Sequence, residues 1–143
     1  MMNWFDRTVR ILVTSSVCVA LSVACSSHPT GPGQVPLGQS FELRAGSSAV
    51  VEGGLTIAFN GVKSDSRCPM DALCVWAGDA IVTVSLAQSG GDRAERELHT
   101  ASAGSEASYR AYSVKLVALA PYPRLDRQIR QQDYAATLAV SAR

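Results

Sequence analysis

Residues 64–80, SDSRCPMDALCVWAGDA, gather two cysteines, a proline, a tryptophan, three aspartates and an arginine in an otherwise Ala-, Val- and Ser-rich chain. Cysteines spaced like Cys68 and Cys74 do different chemistry in different compartments. In a reducing cell interior they hold metal or act as nucleophiles, and outside it they pair as a disulfide. Two readings of the stretch need free thiolates. One is a soft-metal site adding Met70 and His99 to the two sulfurs, and the other is a thiol redox centre. Two readings need the disulfide instead. In the first, the bond staples a crossover, Trp76 packs over the core, and Asp65, Arg67, Asp71 and Asp79 cap turns or pair with one another. In the second, the stapled loop presents Trp76 and Met70, flanked by Arg67 and Asp79, to a protein or glycan partner.

The N-terminus bears on the compartment. Arg7 and Arg10 precede an uncharged, mostly apolar run from Ile11 to Ala24, the layout of a secretory signal. The run is too short for a spanning helix, which needs about 20 residues. Its end, LSVAC, resembles the bacterial lipobox, with Ser22 where Leu is more usual. The resemblance implies cleavage before Cys25 and acylation, including palmitate, of its sulfur and new amino group, enough for stable anchoring in a bilayer. Residues 1–24 then form the signal peptide. Residues 25–39 form the lipidated cysteine and a tether rich in Pro, Gly and Ser that includes His28. Ser26 after the cysteine resembles the outer-membrane sorting signal, implying a cell-envelope location at the outer membrane or a periplasmic face. With Cys18 removed and Cys25 acylated, Cys68 and Cys74 are the remaining pair, so a disulfide is expected. It closes a short loop, and the chain-entropy description assigns it roughly 2 kcal/mol.

Cleavage also sets the charge. The chain has 13 basic and 12 acidic residues; loss of Arg7, Arg10 and Asp6 leaves 11 of each. A mature chain without net charge has no overall field to attract nucleic acid.

The elements that must position the stretch read as strands, because apolar residues recur at every second position between turn residues. LTIAFNGV puts Leu55, Ile57 and Phe59 on one face, and AIVTVSLA does the same with Ala80, Val82, Val84 and Leu86. QSGGDR is a hairpin turn. RAERELHT follows as a charged edge strand with Leu98 inward. YSVKLVALAPYP alternates through Tyr112, Val114 and Leu116, then slips phase at Val117 and Leu119, the mark of a bulge. YAATLAV closes the chain with Tyr134, Ala136, Leu138 and Val140 on one side; Tyr134 sits where a tyrosine corner would. With QSFELRAG and SAVVEGG in front, about seven strands are expected over residues 40–143. They make an all-β domain, an antiparallel β-sandwich of immunoglobulin-like kind, with a small Greek-key barrel as the alternative. RLDRQIRQQDY, with Arg124, Arg127 and Arg130 three apart, reads as a solvated crossover interrupted by Asp126 and Asp133.

Catalytic chemistry has little to stand on in this pattern. His99, the one histidine of the domain, lies in a polar strand without a neighbouring nucleophile motif. The glycines are turn glycines, and Glu95 and Glu97 sit among Arg93 and Arg96 as surface charges. No catalytic residue, cofactor or metal is assigned, and a non-enzymatic binding or structural envelope role is expected. A periplasmic soft-metal carrier or a protease-inhibitor-like module is the alternative. Chagasin-like inhibitors share the sandwich class, but their NPTTGY-type loop has no counterpart here.

DSRCP, CVWAGDA, LVALAPYP and DYAATLAV together resemble small bacterial exported proteins and lipoproteins carrying a DSRCP and C[VI]WAG signature. The resemblance spans about residues 40–141. It implies an all-β domain, a structural disulfide and export, and no particular activity.

Overall fold

The computed structural model describes residues 33–143. The signal segment, the lipobox cysteine Cys25, and His28 with the rest of residues 26–32 lie outside the described residues. Where the chain enters, the segment expected as free tether is laid on the domain. Val35 N–H donates to Val50 O at 2.8 Å and Gly38 N–H to Val140 O at 2.7 Å, while Val35 and Leu37 pack against the core. Two apolar side chains among the prolines are enough to fix this stretch, so the folded unit begins several residues before Ser40.

Eight strands follow: β1 (Ser40–Arg44), β2 (Ser48–Val51), β3 (Leu55–Asp65), β4 (Ala80–Gln88), β5 (Ala94–His99), β6 (Glu106–Tyr109), β7 (Tyr112–Ala120) and β8 (Ala135–Ala142). They form two four-stranded antiparallel sheets, in the orders β2-β3-β4-β5 and β1-β8-β7-β6. The architecture is therefore an all-β sandwich with open edges and not a closed barrel. The first sheet is an uninterrupted meander. The second is a three-strand meander with β1 added beside β8, so the chain crosses between sheets after β1 and again after β5.

The period-two faces meet between the sheets. Leu55, Ile57 and Phe59 of β3, Val82, Val84 and Leu86 of β4, and Leu98 of β5 are fully buried against Val114, Ala136 and Leu138 of the other sheet. Each large apolar side chain taken from water stabilises the fold by roughly 1.5–3 kcal/mol. β5 is an edge; Glu95 and Glu97 lie on its outward face, and Arg96, on the face of the buried Leu98, is exposed as well. The phase slip in β7 is a bulge between Leu116 and Ala118, which leaves Val117 exposed and returns Leu119 to the core. The strand beyond the expected seven is β6, whose four residues EASY pair with Tyr112–Lys115 of β7 across a tight turn at Arg110, which has a positive φ.

Candidate functional site

The β3–β4 ladder does not stop at its register pair Asp65–Ala80. Ser66 N–H donates to Asp79 O and Cys68 N–H to Ala77 O, each at 2.8 Å, which extends the ribbon beyond the end of the sandwich. Gly78 makes the extension possible. Its φ is +71°, and a Cβ there would lie 1.9 Å from Ser66 O. At the tip Cys68 and Cys74 form a disulfide, with Cα atoms 5.9 Å apart.

The loop is also fastened sideways to the β7–β8 connection. Met70 N–H donates to Pro123 O at 3.0 Å, Leu125 N–H donates to Asp71 Oδ1 at 2.9 Å, and Arg124 lies 3.8 Å from Asp71. Beneath it, Arg67 is buried. Its Nε and Nη2 grip the Asp65 carboxylate at 2.9 and 2.6 Å. Nη1 donates to Leu119 O at 2.7 Å, and Nη2 also reaches Pro121 O at 2.9 Å. The pair's side chains are only 5% and 9% exposed. Tyr134 Oη donates to the same carboxylate at 3.0 Å, and the Tyr122 ring covers the guanidinium at 4.9 Å. Arg67 thus joins the end of β3 to the end of β7, and Asp65 joins it to Tyr134 at the start of β8, across the two sheets.

The electrostatics follow this geometry. Burial by itself would raise the Asp65 carboxyl, but the hydrogen bonds and charge of Arg67 and the Tyr134 hydroxyl outweigh it and hold it below its ordinary value. Burial, with the hydrogen bond to Asp65, pushes the Tyr134 phenol up to about 12. Asp79, at the base of the loop's second arm, accepts from Thr100 Oγ1 and Ala101 N–H at 2.8 Å, and its Oδ2 lies 2.6 Å from His99 Nδ1. Burial opposes ionisation here too, but the Ala101 amide, His99 and Thr100 prevail and bring Asp79 down to about 2.

The four residues singled out for recognition therefore divide. Arg67 and Asp79 are positioning residues: the donors of Arg67 are engaged within the fold, and Asp79 ties the loop to the end of β5. Trp76 and Met70 face solvent, 82% and 68% exposed. The packing of Trp76 over the core, expected if the stretch were only a staple, does not occur. The ribbon carries residue 76 past the last register pair of β3 and β4 and into solvent. Pattern reading missed the company Trp76 keeps: Val75 is 91% exposed and Leu73 fully exposed. Leu73 and Val75 flank Cys74, and apolar residues on either side of a cysteine in a loop are the signal that could have drawn attention to them.

The remaining features do not converge on chemistry. A cleft of about 460 Å³ lies beside the loop between Gly78, Thr100, Leu119 and Tyr122, but its one charged lining group is the already engaged Arg67. Among the described residues no three His, Cys, Asp or Glu side chains lie close enough to hold a metal ion, and no helix is long and apolar enough to cross a membrane. Arg124, Arg127 and Arg130 do not align on one helical face. Arg124 and Arg127 form an isolated bridge, and Arg130 pairs with Asp133 at 2.8 Å beside a short 3-10 turn at Gln131–Asp133. Comparison with protein-family models, curated proteins and solved structures finds no match to the chain.

Proposed function

We propose that the chain is a lipid-anchored bacterial envelope protein whose β-sandwich holds out a rigid apolar loop as a binding surface, with no catalytic step. The observation that carries the binding role is the combination at residues 69–76. Four large apolar side chains stand in water on a loop whose tip is closed by a disulfide and whose base is fixed by a ribbon of backbone hydrogen bonds and a buried ion pair. Soluble monomers rarely expose contiguous apolar area of this kind unless it meets another surface, and tryptophan is the residue most enriched among binding hot spots. A pre-shaped loop also loses little conformational freedom on binding. The charged run before an apolar segment and the lipobox-like LSVAC support the anchoring half of the reading.

Both halves are testable on the full chain expressed in bacteria. Palmitate should label the wild type and not Cys25→Ser, and the unlabelled variant should leave the membrane fraction; unchanged labelling and partitioning refute anchoring. For the loop, hydroxyl-radical footprinting read by peptide mass spectrometry should oxidise Met70 and Trp76 rapidly in the isolated chain at low concentration. In intact envelopes both should be protected several-fold, and equal oxidation in the two settings refutes a binding role.

A further inference from the structure

We propose that the Cys68–Cys74 bond is a thiol–disulfide exchange site, opened by a protein dithiol that attacks Cys74 Sγ, and that opening it releases residues 73–76 while the rest of the loop stays docked. The exchange stands on the surroundings of the bond. Its consequence for a partner rests on the loop's being a binding surface.

The two cysteines do not meet solvent equally. Cys74 is exposed and Cys68 half-buried. Cys68 Sγ lies 3.6 Å from Pro69 O and 3.7 Å from Ala72 O, and these carbonyl oxygens crowd that sulfur and repel an incoming thiolate. Cys74 stands between Leu73 and Val75, both exposed and uncharged. Attack on a disulfide follows access, so it falls on Cys74. The thiolate of the dithiol bonds to Cys74 Sγ as the Cys68–Cys74 bond breaks, and the electron pair leaves on Cys68 Sγ. Cys68 takes the proton of the dithiol's second thiol. That sulfur, now a thiolate, attacks the dithiol's own first sulfur in the mixed disulfide, and Cys74 leaves and takes a proton from water. The dithiol ends oxidised to a disulfide, and both cysteines end reduced to thiols. The Pro69 and Ala72 carbonyls are placed to accept a weak hydrogen bond from the Cys68 thiol, which favours the protonated sulfur and opposes its return onto the mixed disulfide.

The hydrogen bonds of the ring decide what opening releases. Its first half is held without the sulfurs. Cys68 N–H donates to Ala77 O at 2.8 Å, Met70 N–H to Pro123 O at 3.0 Å and Ala72 N–H to Pro69 O at 3.1 Å, while Asp71 accepts from Leu125 N–H at 2.9 Å. Among the described residues no hydrogen bond holds Leu73, Cys74, Val75 or Trp76, so the disulfide is what fastens the chain between Ala72 and Ala77. Those residues carry three of the loop's four exposed large apolar side chains. The sandwich depends little on the bond, because closing so short a ring removes little freedom from the unfolded chain and the buried Arg67–Asp65 pair stays in place. The oxidised loop therefore presents a fixed apolar face. The reduced one must give up conformational freedom to meet the same partner, and its affinity falls.

Trapping tests the site of attack. A C-x-x-C protein whose second cysteine is replaced by serine forms a mixed disulfide it cannot resolve. Mixed with the folded full chain purified from bacteria, it should be found by peptide mass spectrometry on Cys74 at least about tenfold more than on Cys68. An adduct chiefly on Cys68, or none without denaturant, overturns the proposal. The intact C-x-x-C protein should then reduce the bond with the far-UV β spectrum unchanged. In ¹⁵N relaxation, order parameters of residues 73–76 should fall from about 0.85 to below about 0.6, while those of Ser66–Asp71 stay high. Loss of the β spectrum, or loosening that spreads through Ser66–Asp71, overturns local release. The Cys68→Ser/Cys74→Ser double variant should reproduce the reduced loop without reagent, and a folded double variant with rigid residues 73–76 also overturns it. Hydroxyl-radical footprinting in envelopes reads the link to a partner. Protection of Trp76 in the wild type that is lost in the double variant supports redox control, and equal protection in both refutes it. Absence of protection in either refutes the binding surface, whereas the exchange site is decided by trapping alone.

Discussion

Replacing Arg67 by Met is the sharpest perturbation the fold offers. The substitution keeps most of the side-chain volume and removes every donor. Asp65, 9% exposed, is left with the Tyr134 hydroxyl as its only side-chain partner, and the carbonyls of Leu119 and Pro121 lose theirs. Removing one member of a buried ion pair typically costs about 3–5 kcal/mol, mostly from the charge left behind. For a domain of this size that lowers the melting temperature by more than about 10 °C. Guanidinium unfolding followed by far-UV circular dichroism measures the loss. pH gives a second, independent readout. In the wild type the lowered Asp65 pKa means its stabilisation is present above the ordinary carboxyl range and lost as pH falls through it. Without Arg67, burial dominates and the folded-state pKa rises above the unfolded one, so the variant gains stability as the carboxyl is protonated. The gap between variant and wild type should therefore narrow from pH 7 to pH 4. In a double-mutant cycle, Arg67→Met with Asp65→Leu should show a coupling energy of at least about 2 kcal/mol. A loss below about 1 kcal/mol, or a gap that does not change with pH, refutes the assignment of Arg67 as the strut between the sheets.

Gly78→Ala should cost about 2 kcal/mol or more, because it combines a strained positive φ with a Cβ 1.9 Å from Ser66 O. Denaturant unfolding reads the cost, and faster amide exchange at Ser66 and Cys68 would locate it in the ribbon. Asp79, held at about 2 in the fold against an ordinary 3.8, contributes stability that is complete above about pH 4 and disappears as pH falls toward 2. Allowing for its partial exposure to solvent, Asp79→Asn should flatten that acid limb by about 1 kcal/mol in unfolding curves taken between pH 5 and pH 2. An acid limb as steep as that of the wild type would show that Asp79 is not the group responsible.

The sandwich was legible because alternation is a one-dimensional record of which face is buried. Leu55–Phe59, Ala80–Leu86 and Tyr134–Val140 each state their inward face without reference to anything distant, and the phase slip at Val117 states the bulge. β6 escaped because four residues, EASY, are too few to show a period, and its pairing is set by β7 and the turn at Arg110. The Cys68–Cys74 bond could be reached by elimination, since the expected export and lipidation of Cys25 left no other pairing. The Arg67 network could not. Its partners lie 2, 52, 54 and 55 residues away, counting the Tyr122 ring, and no local pattern distinguishes an arginine that crosses to Leu119 and Pro121 from one that faces water. For the same reason the composition of the loop left the place of Trp76 open. A tryptophan next to a cysteine fits a core staple and a displayed side chain equally, and only the extra length of ribbon separates the two.

That length also explains why both arms of the loop are fastened, in addition to the contacts of Met70 and Asp71 with the β7–β8 connection. The disulfide closes only the tip, and a seven-residue ring by itself would still swing about the ends of β3 and β4. Arg67 and Asp65 hold the first arm to the second sheet, while Asp79, through His99, Thr100 and Ala101, holds the second arm to the end of β5. The two anchors fix the direction in which the tip projects, and the disulfide fixes its shape. A loop serving only to connect two strands needs neither. A surface that must meet a partner at a set angle needs both, since each degree of freedom left to the free loop would have to be given up on binding. Reduction of the Cys68–Cys74 bond should accordingly weaken the loop's contacts more than it weakens the fold, whereas Arg67→Met should damage both together.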